Sequence, residues 1–243
     1  MQEKSKPVDN LRADAEKIIT RAIAAVLPDA AVERALKGKT FLGRMYLVAA
    51  GKAAWQMAHA ARACLQDNFC GGVVVTKYGH VKGEIANVAC FEGGHPVPDE
   101  NSLRGTDAAL ALTEDLTESD TVVFLLSGGG SALFEKPLLP LAELQDITNQ
   151  LLAAGADIVE INTIRKRLSA VKGGRFARHC APAQVFAVVL SDILGDPLDM
   201  IASGPAYPDS SSCAQALDIA KRYGLRLSER AWALLAQETP KTL

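Results

Sequence analysis

The sequence predicts a doubly wound α/β fold, a mostly parallel sheet with helices on both faces in three layers. Short, continuous apolar runs recur along the chain, as strands buried on both faces require. Stretches with helical periodicity separate those runs. The runs end in glycine, serine or aspartate, so loops with ligand-binding chemistry gather at one end of the sheet.

The elements follow in order. Residues 8–27 carry a helical stripe of Leu11, Ala15, Ile18, Ile19, Ala22, Ile23 and Val26. Pro28-Asp29 stops that helix and opens a second, short one. Residues 45–50 (MYLVAA) read as a central strand, followed by Gly51-Lys52 and a helix over 53–66. A turn at Gly71-Gly72 leads into a strand at 73–76, and 88–91 is the next strand. Residues 101–116 read as helix, and 121–126 (TVVFLL) as the cleanest strand of the chain. Helices are expected over 141–154 and 158–172. Residues 184–190 (QVFAVVL) read as a buried parallel strand. The last helices fall at 212–223, closed by Gly224 as a left-handed cap, and at 228–236.

Composition bounds the function. With 243 residues, 49% of them hydrophobic, the chain can bury a substantial core. No linker, repeat or low-complexity segment divides it, so a single domain over 1–243 is expected. A net charge of −2 makes no electrostatic case for nucleic acid or a membrane surface. No apolar stretch approaches the roughly 20 residues of a membrane span. The N-terminus, MQEKSKPVDN, lacks the apolar core of a signal peptide, and a cytoplasmic protein is the expectation. The five cysteines are odd in number and none are spaced C-x-x-C, which argues against a disulfide framework or a structural zinc site.

Several constellations carry chemistry. Gly51-Lys52 lies between a strand and a helix, where glycine permits a tight turn and the helix N-terminus favours an anion. Lys52 adds a full charge there; the competing reading is a plain turn and a solvated lysine. Ser127-Gly128-Gly129-Gly130-Ser131 follows the cleanest strand, and successive glycines there can form a nest of backbone amides for phosphate. On a helical wheel, Asn162, Arg165, Lys166 and Ser169 share a stripe, which Lys172 and Arg175 extend. That stripe reads either as a solvated face or as a phosphate or carboxylate site with an arginine fork. His95, in a Gly/Pro-rich loop, reads as a loop anchor in a pocket wall. Residues 191–205 (SDILGDPLDMIASGP) place three aspartates at a strand exit. Asp196 before Pro197 suits a helix cap, which leaves Asp192 as the candidate for chemistry.

These segments together resemble one family. AAGKAA (49–54), VVVTKYGH (73–80), EGGHPVPDENS (92–102), LLSGGGSAL (125–133), NTIRKRLSAVKGGR (162–175) and the 191–205 segment are similar, in this order, to the glycerate 2-kinases, whose C-terminal domain is called MOFRL. The resemblance implies a Rossmann-like first domain and a smaller second α/β domain that closes the cleft. It implies phosphorylation of D-glycerate at its 2-hydroxyl by ATP with Mg²⁺. Lys52 and Asp192 match the family's motif lysine and aspartate, both active-site residues there. On that reading Lys52 neutralises the transferred phosphate, while Gly51 and Ser127 to Ser131 cradle phosphates. Asp192 ligates Mg²⁺ or takes the proton of the glycerate hydroxyl. His95, Asn162, Arg165, Lys172, Ser203 and Gly204 are the candidate substrate-binding residues.

Two departures qualify it. The chain ends in ETPKTL, before the MOFRL domain, and has Ala206 where the family commonly has threonine. The expectation is an N-terminal portion of the kinase, weakly active or inactive alone. Two other readings stand beside it. One is an NAD(P)-dependent hydroxypyruvate reductase, which needs a G-x-G-x-x-G fingerprint that the sequence around Gly128 does not supply. The other is a non-catalytic binding domain that covers the missing partner's surface by forming a homodimer.

Overall fold

The computed structural model describes residues 7–41, 43–65, 67–191 and 193–243, with side chains described from residue 10 onward. Helices α1 (Pro7–Val26) and α2 (Pro28–Leu36) lead into β1 (Met45–Ala50) and α3 (Ala54–Cys64). Strands β2 (Phe69–Lys77) and β3 (Val88–Gly93), helix α4 (Glu100–Leu112) and strand β4 (Thr121–Leu126) follow. Helices α5 (Gly130–Leu133), α6 (Leu141–Ala153), α7 (Ile158–Arg167) and α8 (Arg175–Cys180) precede β5 (Gln184–Val189). A 3₁₀ turn at Ile201–Ser203 and helices α9 (Cys213–Arg222) and α10 (Glu229–Leu235) complete the described elements.

All five strands are parallel, in the order β3-β2-β1-β4-β5. The chain winds outward from β1 to β3, then returns to the other side of β1 for β4. The strand order therefore reverses between β1 and β4, the point at which open α/β sheets bind ligands beyond the carboxyl ends of their strands. Parallel pairing also explains why MYLVAA and TVVFLL are apolar throughout, since both of their faces are covered.

On one sheet face, Leu47, Ala49, Val74, Val123 and Leu125 pack on Val32, Leu36, Met57, Ala58 and Ala61 of α2 and α3. On the other, Val48, Ala50, Val75, Phe124 and Leu126 pack on Ala109, Leu133, Phe134 and Phe176. A third core lies apart from the strands, where Leu144, Ile147, Leu151, Ile161, Ile164, Ile219, Ala220, Ala231 and Leu235 join α6, α7, α9 and α10.

Four sequence expectations change. Gly71 and Gly72 are not a turn; they pair with Tyr46 and Leu47 inside β2. A side chain at Gly72 would press on Leu47 and Val88, so glycine serves close strand packing. Helix α7 stops at Arg167 instead of 172, because Leu138 N–H bonds to Leu168 O and Ala170 N–H to Lys136 O. Strand β5 is a half-exposed edge strand, not a buried one. No helix starts at Pro197, and Asp196 has φ +47°, which the extended geometry of an N-cap excludes.

A buried ionic hub ties the third core to the tail. Lys166 donates to Asp209 at 2.9 Å, and Ser211 and Thr239 hydroxyls donate to the same carboxylate. Burial pushes the Asp209 carboxyl up, but those hydrogen bonds and the lysine outweigh it and hold the group at about 2. A carboxylate depressed in the folded state stabilises the fold above its unfolded value, 3.8, and loses that contribution as pH falls through its folded value. Acid unfolding followed by circular dichroism is expected to show a loss of about 2 kcal/mol between roughly pH 4 and 2 from this group. An Asp209→Asn variant, already destabilised at neutral pH, is expected to show a correspondingly shallower acid loss.

Candidate anion site at the sheet switch point

The end of β1 and the end of β4 are locked together. Ser127 N–H donates to Ala50 O at 3.0 Å, and Lys52 N–H to Gly128 O at 2.8 Å. The buried Ser127 hydroxyl accepts from Ala53 N–H at 3.1 Å, so it holds the start of α3 rather than facing a ligand. Gly51 has φ +123°, and a Cβ there would lie 2.3 Å from Ser127 Oγ and 2.5 Å from Ser127 O. Only glycine lets the two loops approach this closely. Thr76 Oγ1, from the end of β2, donates to Gly51 O at 2.9 Å and adds a third strand to the frame.

Lys52 leaves this frame as an exposed side chain above the β4 exit. Gly129 takes φ +91°, and the space beside its Cα is lined by the His95 ring and the Lys52 stem. The loop after β3 thus brings His95 to the glycine run. Burial pushes the His95 imidazole below its ordinary range, and Lys52, Lys77 and His80 push it the same way. His95 is therefore neutral at pH 7 and offers a hydrogen bond rather than a charge. The N–H groups of Gly128 and Gly129 make no hydrogen bond among the described residues. Two adjacent donors beside a lysine, at the mouth of an 11-residue helix, suit a phosphate group.

The remaining expected residues are supports beneath this surface. Ser203 is fully buried; its hydroxyl donates to Asn162 Oδ1 at 2.8 Å and lies 3.3 Å from Ser131 Oγ. That thread joins α7, the 201–203 turn and α5. Ala202 and Ser203 have φ +50° and +62°, a left-handed pair of non-glycine residues of the kind that concentrates at functional sites. Gly173 and Gly174 N–H groups bond to Ser203 O and Gly204 O and pin the pair from α8. Arg165 donates to Ser131 O at 2.9 Å. Lys172 donates to Ser131 O at 2.9 Å and to Phe134 O at 2.8 Å, with Glu135 3.4 Å away.

Lys172 was expected on an exposed cationic stripe, but the end of α7 at Arg167 removes it from the helical wheel and buries it completely. Burial pushes its ammonium down to about 8, against the opposing pull of Glu135, so it remains largely protonated at neutral pH. Arg165 keeps 12% of its side chain exposed, in the wall of a cavity of about 190 Å³ between Pro96, Val97 and α6. Lys52, His95 and the glycine run are thus brought together at the surface. Asn162, Lys172, Ser203 and Gly204 lie behind them. Asp192 lies outside the described residues. Among the described residues, no group of three His, Cys, Asp or Glu side chains gathers as a metal site.

Three residues were not singled out from the sequence for this site. Lys77 ends β2 beside it, His80 Nδ1 lies 2.8 Å from Lys52 O, and Glu135 neutralises the buried cations. Lys77 stands at a strand's carboxyl end in sequence, a position that could have nominated it. Glu135 follows an apolar run and carries no such signal.

Fold and site together define a doubly wound α/β protein that gathers a lysine, a histidine and a glycine run at its switch point. The chain matches, over residues 14–236, the family described as a domain of unknown function, DUF4147. The D-glycerate 2-kinase of Thermotoga maritima is 54% identical over 97% of this chain and 57% of its own length. A crystal structure of glycerate kinase from that organism superposes with a TM-score of 0.91 at 52% identity, covering 97% of this chain and 57% of that one. An Agrobacterium vitis relative whose name proposes a hydroxypyruvate reductase is 42% identical over 93% of this chain and 52% of its own length. The chain belongs to the glycerate 2-kinase family through its DUF4147 domain. It spans little more than half the length of these relatives. Among the described residues, no helix is long and apolar enough to cross a membrane.

Proposed function

We propose that this chain forms the nucleotide-holding part of a kinase that transfers the γ-phosphoryl group of ATP to the 2-hydroxyl of D-glycerate. The observation that carries the reading is the convergence of Lys52, neutral His95 and the Gly128 and Gly129 amides, unpaired among the described residues, at the β1/β4 switch point. Phosphoryl transfer asks chiefly for positioning and charge neutralisation, which these groups supply. Lys52 neutralises the non-bridging oxygens of the transferred group, and the two amides fix the neighbouring phosphate. The glycerate 2-oxygen attacks the γ-phosphorus, the bond to the bridging oxygen breaks, and ADP leaves. Asp192, three residues after β5 in the sequence, is the candidate to take the hydroxyl proton or to ligate Mg²⁺. Mg²⁺ would accompany the nucleotide and neutralise its phosphates. Arg165, at the cavity beside His95, is the described cation best placed for the glycerate carboxylate. In this reading the chain is the first domain, and a second domain supplies the other wall of the cleft.

The reductase reading draws on the Agrobacterium vitis name. It would place a dinucleotide on the first strand-to-helix turn, where AAGKAA has one glycine in place of three. Titration of the chain with ATP and with NADH separates the two: saturable ATP binding with none for NADH is expected, and the reverse order contradicts the kinase. In a steady-state assay with ATP and D-glycerate, the isolated chain is expected to turn over weakly or not at all. Full turnover by this chain would contradict the assignment of part of the site to a second domain.

A further inference from the structure

We propose that α1 is a self-association element that pairs antiparallel with α1 of a second copy of this chain. The proposal stands apart from the function above. Every residue from 10 to 27 is exposed, including Leu11 at 68%, Ile18 at 68%, Ile19 at 58% and Ile23 at 56%. Among the described residues, no other element packs substantially against α1. Most helical stability in proteins comes from covering an apolar face rather than from the helix's own backbone. A 20-residue helix with five large aliphatic side chains in solvent is thus half of an interface.

The sequence of α1 says what the other half is. Leu11, Ala15, Ile18, Ala22 and Ala25 repeat with alternating spacings of four and three, the seam of a two-helix coiled coil. An antiparallel partner in the register that sets Leu11 opposite Ala22 also sets Ala15 opposite Ile18. Each of these layers then meets a large side chain with a small one, which lets the seam close without voids. The same register overlaps the two helices along their whole length. Charge agrees with it. The first half of α1 holds Asp9, Asp14 and Glu16 against Arg12, and the second half holds Lys17 and Arg21 with no acid. Antiparallel pairing lays the negative half on the positive half, and this register brings Asp14 beside Arg21 of the second copy along one flank of the seam, two residues off the level position, twice by symmetry. A parallel, in-register pair would set Asp14 beside Ile19 and Arg21 beside Val26 of the second copy and form no such ion pair. Ile19 flanks the seam and covers the stem of Arg12 on the second copy, while Arg12 keeps its guanidinium in water.

Light scattering on the eluting chain, over a wide range of concentration, tests this. A mass twice the 25.8 kDa of the chain is expected. Ile18→Glu, which places a carboxylate in two central layers, is expected to give a monomer whose thermal unfolding is otherwise unchanged, since α1 supports no other core. Asp14→Arg is expected to raise the dimer dissociation constant at least tenfold, and Asp14→Arg with Arg21→Asp to restore it. A wild-type chain that stays monomeric, or an Ile18→Glu dimer as tight as the wild type, overturns the proposal. A double variant no tighter than the single one overturns the antiparallel pairing.

Discussion

Replacing Lys52 with alanine is expected to weaken ATP binding by about 10- to 100-fold while leaving the fold intact. The side chain is exposed and supports no core, so nothing in the packing should change. What is lost is a full positive charge beside two amides that donate to nothing else among the described residues. Charge-assisted hydrogen bonds contribute about 1.5–3 kcal/mol, which gives that range of affinity. In a full-length kinase carrying the same substitution, turnover falls further, by about 100- to 1,000-fold, because charge on the transferred group is then unsupported in the transition state. Lys52→Arg is expected to recover part of the affinity and little of the turnover, because a planar fork does not reproduce the ammonium's position. Equilibrium titration with ATP, steady-state assay and thermal unfolding check the three claims. An unchanged ATP affinity in Lys52→Ala removes the residue from the site.

The largest stability effect is expected at Lys172. Its ammonium is the shared partner of Glu135 and of two backbone oxygens, Ser131 O and Phe134 O, all within the core below the glycine run. Lys172→Met removes one buried charge and leaves the other. Glu135 would then keep only Arg165, at 3.8 Å, as a counter-charge. Breaking a buried pair in this way costs about 3–5 kcal/mol. Urea unfolding at neutral pH measures it. The Lys172→Met, Glu135→Leu double variant is expected to regain much of the loss, because a well-packed apolar pair needs no counter-charge. A single variant as stable as the wild type would show that the pair does not hold α5 under the site.

The contrast between these two lysines shows what the sequence could and could not reveal. The place of Lys52 was legible because it is set locally: strand, glycine, lysine, helix is enough to aim a cation at a helix mouth. The glycine run was legible for the same reason, following as it does the most apolar strand. Lys172 was misplaced because its position depends on where α7 ends. That end is set by bonds to Leu138 and Lys136, some thirty residues earlier in the chain. A helical wheel carries no information about such a partner. Asp196 was misread similarly, since Asp before Pro favours a cap locally while the chain there turns left-handed. The mostly parallel sheet needed only the alternation of apolar runs and helices, whereas the strand order that puts the switch point between β1 and β4 does not follow from that alternation. The third core of α6, α7, α9 and α10 did not announce itself, because amphipathic helices show that they bury a face but not what they bury it against.

The central claim is that the β1/β4 switch point holds the phosphates of ATP. Amide-resolved NMR of this chain during an ATP titration tests it most directly. Saturable shifts at Lys52, Gly128, Gly129 and Ser131, weakened in Lys52→Ala, are the predicted result. Shifts confined to other parts of the chain, or none at saturating nucleotide, would contradict it.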